Sequence, residues 1–218
     1  MRFEDWLPIY NDILADFGFD RSQDEACARL LRTITLNSDL LSDEEIEGLF
    51  GDSASIIGAA GCMESDISKG LEGTVISAGS ATKRVMEAGV VPDIVVTDLD
   101  GDIDFQLKAS EMGAVTFIHA HGDNSDLVMR YANQFKGKIV LTTQSRPEGL
   151  LHNYGGFTDG DRAYCIARHF GVRDIRLYGF DYDNPSSKIG SDPEVKRRKL
   201  SWAKRIISYD HDHYDQDQ

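Results

Sequence analysis

From residue 53 onward, short apolar runs alternate with stretches whose apolar positions recur at helical spacing. The runs cover residues 55–59, 74–78, 94–97, 115–119, 138–142 and 175–178, mostly β-branched or aliphatic, each closing on Gly, Asp, Thr or His. Between them, residues 81–88, 105–112, 125–134 and 161–170 carry the helical period. Strands alternating with helices predict an α/β fold, a doubly wound and mainly parallel sheet of about six strands covered on both faces. No internal repeat or low-complexity linker interrupts the pattern, so residues 51–209 read as one α/β domain.

The first fifty residues have a different texture and read as a helical annex packed on that domain. Phe3, Trp6, Leu7, Ile13, Leu14 and Phe17 share a helical stripe, and Gly18 is a natural stop. Ser22 is expected to open a second helix, with Asp24 and Glu25 in its first turn and Ala26, Leu30, Leu31 and Ile34 along one side. Ser42 and Glu45 form a capping-box pair for a short third helix that Gly51 and Asp52 should end. At the other end, residues 210–218 are polar and acidic and are expected to be a disordered tail.

Composition narrows the partners. The chain has 218 residues, 41% hydrophobic and 28% charged, with 23 Lys plus Arg against 37 Asp plus Glu, a formal net charge of −14. A pI near 4.7 argues against nucleic acid, whose phosphates demand a basic face, and against an anionic membrane surface. No apolar run is long enough to span a bilayer. The acidic opening Met1-Arg2-Phe3-Glu4-Asp5-Trp6 is unlike a signal peptide. Cys27, Cys62 and Cys165 are odd in number and widely spaced, fitting neither a disulfide framework nor a zinc site. A cytoplasmic protein is expected, with small molecules as substrates. An extra helical segment on a compact domain also suits a homodimer.

Ligands of open α/β sheets bind beyond the carboxyl ends of the strands, so the residues after each run carry the chemistry. Thr97-Asp98-Leu99-Asp100-Gly101-Asp102-Ile103-Asp104 places four carboxylates at alternate positions after the third run. His119-Ala120-His121-Gly122-Asp123-Asn124 follows the fourth, Thr142-Thr143-Gln144-Ser145-Arg146 the fifth and Gly179-Phe180-Asp181-Tyr182-Asp183 the sixth. Carboxylates this close raise one another's pKa unless a cation intervenes, and Asp98 and Asp100 suit a hard divalent ion such as magnesium. Asp102 and Asp104 are expected only to start the next helix. His119 suits a hydrogen-bonded edge of the core, whereas His121 suits a general base or phosphate contact.

Three glycine-bearing stretches could bring backbone close to a ligand. Gly58-Ala59-Ala60-Gly61-Cys62 and Gly79-Ser80 follow strands, but neither is a dinucleotide fingerprint nor a P-loop. Asn153-Tyr154-Gly155-Gly156-Phe157-Thr158-Asp159-Gly160-Asp161-Arg162 is a turn-rich stretch feeding a helix and reads as a binding loop. Asp192-Pro193-Glu194 caps a last helix bearing Lys196, Arg197, Arg198, Lys199, Lys204 and Arg205, a basic cluster that could meet a triphosphate or simply face solvent.

Residues 91–102, 119–124 and 155–163, in that order, resemble the archaeal 6-hydroxymethyl-7,8-dihydropterin pyrophosphokinases, within a wider group that includes the Maf-type flagellar glycosylation proteins. The arrangement is also similar to thiamine pyrophosphokinases. Where relatives often carry Gly-Pro-Ser-Leu in the first turn, this chain has Ala60-Gly61-Cys62-Met63. The resemblance implies a magnesium-dependent transfer of the diphosphoryl group of ATP to a reduced pterin, with Asp98, Asp100 and Asp123 as metal ligands. From their positions along the rim, nucleotide and substrate contacts are expected from Gly79, Ser80, His121, Asn124, Thr142, Arg146, Gly156, Phe157, Thr158, Asp159, Arg162, Asp181, Lys188 and Lys199. Arg146, Arg162, Lys188 and Lys199 would neutralise phosphate, and Asn124 or Asp181 would meet the pterin edge. Three other readings compete: a haloacid-dehalogenase-type phosphatase, from Asp98-Leu99-Asp100-Gly101; a metal-dependent glycosyltransferase, from the same Asp-x-Asp; and a non-catalytic nucleotide-binding regulator.

Overall fold

The structure is a computed structural model that describes residues 1–182 and 192–214. Strands β1 (Ser53–Ile57), β2 (Thr74–Ala78), β3 (Ile94–Thr97), β4 (Val115–Ala120), β5 (Ile139–Thr143), β6 (Leu151–His152) and β7 (Asp174–Tyr178) form one sheet, ordered β6-β5-β4-β3-β2-β1-β7. Every pairing is parallel. The sheet therefore has seven strands rather than six. The additional one, β6, is two residues long, with no apolar run to announce it, and closes one edge. Short edges of this kind limit unwanted pairing with other chains.

The strand order explains the layers. Crossovers in a parallel sheet are right-handed, so the steps from β1 to β5 put their helices on one face. These are α4 (Met63–Ile67), α5 (Thr82–Glu87), α6 (Ile103–Glu111) and α7 (Ser125–Tyr131). The return from β6 to β7 runs through α8 (Asp159–His169), which lies on the other face against β1, β2 and β3. Side chains obey the two-residue period of a strand: Val115 and Phe117 of β4 pack on the α8 side with Ala163 and Ile166, whereas Ile118 and Ala120 pack towards Val128 of α7. Central strands β3, β4 and β5 are buried along their whole length, which is why they read as continuous apolar runs.

The N-terminal helices α1 (Phe3–Phe17), α2 (Arg21–Ile34) and α3 (Asp43–Glu47) join these layers. Trp6, Tyr10 and Ile13 of α1 pack with Cys165 of α8 and with Trp202 and Ile206 of α9 (Pro193–Tyr214). Each such side chain removed from water contributes about 1.5–3 kcal/mol. Thus α8 is covered on both sides and is buried throughout residues 161–167. Cys27, Ala28 and Leu31 of α2 pack on β4, β5 and α7.

Local signals place most ends. Gly18 takes the left-handed conformation after α1, and Ser42 and Glu45 form the full capping box of α3. The second helix begins at Arg21 rather than Ser22: Asp20 is its cap, and its carboxylate accepts the Ser22 amide. The third ends at Gly48, before Gly51. The last helix continues to Tyr214, so it enters the stretch expected as a tail, and Asp210 is buried. No described helix is long and apolar enough to cross a membrane. All three cysteines are free thiols.

One glycine is indispensable to the loop entering α8. Gly156 has φ +93°, and a Cβ there would stand 2.3 Å from Arg162 Cα. Gly156→Ala is expected to cost about 2–4 kcal/mol of stability in a denaturant titration, combining left-handed strain with a clash against backbone. An unchanged midpoint would refute this reading of the loop.

Candidate active site

At the carboxyl ends of the strands lies a cleft of about 460 Å³. Its lining comes from the turns after β1 and β7 (Gly58, Ala59, Ala60, Gly179, Phe180, Asp181, Tyr182), from the end of β2 and the turns after β2 to β5 (Ala78, Ser80, Asp98, Asp100, His121, Asp123, Gln144), and from around the start of α8 (Phe157, Thr158, Asp159, Gly160). Phe19 in the α1–α2 loop and Asp192, Val195, Lys196, Lys199 and Leu200 around α9 complete it.

The turn after β3 is held in an uncommon conformation. Leu99 has φ +69°, the one positive value at a non-glycine among the described residues, in a region that costs an ordinary L-residue roughly 1–2 kcal/mol. Its side chain is buried, and its amide donates to Thr97 Oγ1 at 2.8 Å. The Gln106 amide donates to Asp100 O at 2.7 Å and to Gly79 O at 3.2 Å, and Asp100 N donates to Asp98 Oδ1 at 3.2 Å. Tertiary contacts thus fix a turn that carries two carboxylates into the cleft.

Asp159, at the start of α8, meets them: ligand oxygens of Asp98, Asp100 and Asp159 all lie within 4.8 Å of one another. Burial, then Asp98 and Asp100, push the Asp159 pKa well above the usual carboxylate value, against the opposing pull of Arg162 and the Gly79 amide. Arg162 Nη1 donates to Asp159 Oδ1 at 2.9 Å from beneath, its own side chain 3% exposed. Burial also raises Asp98, but His121, Arg162 and the Asp100 amide outweigh it and hold the carboxyl at about 2. A strained like-charge group beside an ionised one fits a hard divalent cation, which would relieve the repulsion that now falls on Asp159.

The start of α8 is built around Asp161, whose carboxylate accepts the amides of Phe157 at 2.6 Å and Thr158 at 2.9 Å. This capping box aims Phe157, Thr158 and Asp159 at the cleft. Gly79 lies below Asp159, and a Cβ there would be 2.4 Å from Thr97 Oγ1 and 3.1 Å from Asp159 Oδ2.

The sequence-predicted residues therefore separate into groups. Ser80, Asp98, Asp100, His121, Asp123, Phe157, Thr158, Asp159, Asp181 and Lys199 line the cleft. Gly79, Gly156 and Arg162 support it from behind. Asp123 is exposed on the wall and lies outside the acidic cluster, whose third member is Asp159. Asn124 is buried and fully engaged, donating to Asp98 O and His119 O and accepting His121 N, so it does not line the cleft. Thr142 sits inside the sheet, hydrogen-bonded to His119 Nδ1 and Ile118 O, and Arg146 is exposed outside the lining. Lys188 lies outside the described residues. The basic helix divides: Lys196 and Lys199 line the cleft, Arg198 pairs with Asp16 at 2.9 Å and Arg197 with Glu194 at 3.2 Å.

Sequence reasoning passed over Phe19, Gln144, Phe180 and Tyr182 as lining residues. Phe180 and Tyr182 flank Asp181 in a stretch read for its acids, and Gln144 stands beside Arg146 in the text after β5. Nothing in the sequence points to Phe19. Gly58, Ala59 and Ala60 line the cleft despite the departure in the neighbouring turn, their carbonyls at 59 and 60 held by Arg84.

Residues 34–187 match a family model described as 6-hydroxymethylpterin diphosphokinase MptE-like. The chain is 40% identical over 222 residues to a protein of Methanothermobacter thermautotrophicus named 6-hydroxymethyl-7,8-dihydropterin pyrophosphokinase, with 96% of this chain and 95% of that one covered. Proteins of the same name from Pyrococcus furiosus and Methanocaldococcus jannaschii are 36% and 32% identical, with 96% of this chain covered in both cases and 94% and 95% of theirs.

His119 supplies a pH test of the packing behind the cleft. Burial, Arg162 and His121 lower its pKa well below 6.5, so the folded chain keeps it neutral while the unfolded chain takes up a proton. Its contribution to stability is present above 6.5 and is lost as the pH falls, at up to about 1.4 kcal/mol per pH unit. His119→Gln is expected to flatten the fall in stability between about pH 6.5 and 5 by up to one proton's worth. An unchanged slope in denaturant titrations would contradict a neutral His119.

Proposed function

The chain belongs to the MptE-like family of 6-hydroxymethylpterin diphosphokinases, and from that membership we propose that it transfers the diphosphoryl group of ATP to the hydroxymethyl oxygen of 6-hydroxymethyl-7,8-dihydropterin, releasing AMP. The observation that carries this reading is the meeting of Asp98, Asp100 and Asp159 in a cleft that also receives Lys196 and Lys199. In the proposed reaction the hydroxymethyl oxygen attacks the β-phosphorus, the bond from that phosphorus to the bridging oxygen breaks so that this oxygen departs on AMP, and the hydroxyl proton passes to solvent. Such chemistry needs positioning and charge neutralisation more than a covalent intermediate.

Asp98, Asp100 and Asp159 would hold magnesium, which supplies Lewis-acid neutralisation of phosphate charge when bound. Asp98 is suited to the task because its surroundings keep it ionised. Asp159 is suited because a cation would offset both its burial, the larger cause of its raised pKa, and the repulsion from Asp98 and Asp100. Lys196 and Lys199 would meet phosphate oxygens from the α9 side. Phe19, Phe157, Phe180 and Tyr182 bring aromatic side chains to the cleft, suited to the planar rings of a nucleotide and a pterin, and a cleft of about 460 Å³ is of the size that small-molecule sites have. Asp181, on the wall, is then the better placed of the two groups expected at the pterin edge, since Asn124 is committed elsewhere.

The test is mass spectrometry of the products from ATP, magnesium and 6-hydroxymethyl-7,8-dihydropterin, with and without EDTA and beside a thiamine control. AMP and a pterin diphosphate, both lost with EDTA, are the expected products. Absence of AMP, or diphosphorylated thiamine in place of the pterin product, would overturn the assignment. Asp98→Asn and Asp100→Asn are each expected to lower turnover by at least about 10²-fold while the protein remains folded.

A further inference from the structure

Residues 1–33 precede the stretch matched by the family model, yet α2 is hydrogen-bonded to residues at the rim of the cleft. Asp24 is 3% exposed and accepts three hydrogen bonds: from Tyr10 Oη at 2.5 Å, Gln144 Nε2 at 2.8 Å and Gly122 N at 2.7 Å. A carboxylate buried this deeply is expensive, and packing α2 on the sheet requires only its apolar side. Two of the three donors belong to the rim of the cleft. Gln144 is on its wall, and Gly122 follows His121.

The turn at residues 121–124 is joined to Asp98 in two places. Its His121 Nε2 stands 3.5 Å from Asp98 Oδ2, and Asn124 Nδ2 donates to Asp98 O at 2.7 Å. Within the turn, Asp123 N donates to His121 Nδ1 at 3.3 Å, which sets the imidazole from its other side. The turn is also joined to α2 in two places, through Asp24 to Gly122 N and through Cys27 Sγ, which donates to Asn124 Oδ1 at 3.3 Å. The approach is close enough that a Cβ on Gly122 would stand 2.8 Å from Gln23 Cβ.

We propose that Asp24 is a positioning residue for the acidic centre: it anchors the 121–124 turn, and so holds His121 against Asp98, while fixing which end of the Gln144 amide faces away from the cleft. The inference rests on the reading that Asp98, Asp100 and Asp159 hold a divalent cation. Outer partners that orient metal-binding groups typically matter by 10–100-fold in affinity or activity.

Binding of Mn²⁺ by electron paramagnetic resonance, with thermal melts of each variant, tests the inference without relying on turnover. Asp24→Asn is expected to bind Mn²⁺ about 10-fold more weakly than wild type. Gly122→Ala, which parts α2 from the turn while leaving Asp24 in place, is expected to do the same. Ile46→Ala opens a cavity in the core beside α3 and should lower the melting temperature without changing the Mn²⁺ affinity. Wild-type affinity in a folded Asp24→Asn or Gly122→Ala, or an equal weakening in Ile46→Ala, would overturn the proposal. If wild type shows no Mn²⁺ binding that Asp98→Asn removes, the cation reading fails and the inference with it. Binding that Asp98→Asn removes but Asp24→Asn retains defeats the inference alone.

Discussion

Repulsion among Asp98, Asp100 and Asp159 is the constraint around which the rest of the molecule is arranged. With oxygens inside 4.8 Å of one another, each ionised pair costs on the order of 3 kcal/mol at an effective dielectric near 20. The chain offsets part of this cost. Arg162 is buried beneath Asp159, the Gly79 amide points at it, and His121 stands beside Asp98. What is left adds to burial, the larger cause, in raising the pKa of Asp159. Under the proposed function a bound cation would complete the charge balance and let a protein of net charge −14 accept an anionic substrate.

The sheet order makes the meeting possible. Asp98 and Asp100 follow β3, whereas Asp159 starts the helix that carries the chain from one edge of the sheet back to the other. Because that helix crosses the face opposite α4 to α7, its first turn ends up over the end of β3, and the Asp161 capping box fixes its direction. The helices α1 and α9 then cover α8, so the N-terminal and C-terminal segments clamp the element that carries Asp159. Residues 1–50 also share the cleft directly, through Phe19, and indirectly, through Asp24.

The fold was largely legible because buried parallel strands leave continuous apolar runs: β2 and β3 coincide with the runs at 74–78 and 94–97. Strand β6 left no such trace, since two residues cannot show a period, and its existence follows from pairing with β5. Asp98 and Asp100 were legible because they are neighbours in sequence. Asp159 read as a substrate contact rather than as their neighbour, since Asp123 is close to them in sequence while Asp159 reaches them only through the α8 crossover. Asn124 and Thr142 looked like ligand contacts because they follow or end strands. The structure uses them internally, Asn124 to close the turn after β4 and Thr142 to hold His119. Asp24 read as an ordinary first-turn acid, and only tertiary structure brings Gly122 and Gln144 to it.

We propose that the three carboxylates form one cation site that receives the phosphates of ATP. Anomalous diffraction from crystals grown with Mn²⁺ and a non-hydrolysable ATP analogue tests it most directly. An anomalous peak is expected within ligand distance of Asp98, Asp100 and Asp159, in contact with the triphosphate and with Lys196 or Lys199 on its far side. A peak held by Asp123 without Asp159, or a nucleotide bound in the cleft with the Mn²⁺ elsewhere, would contradict it.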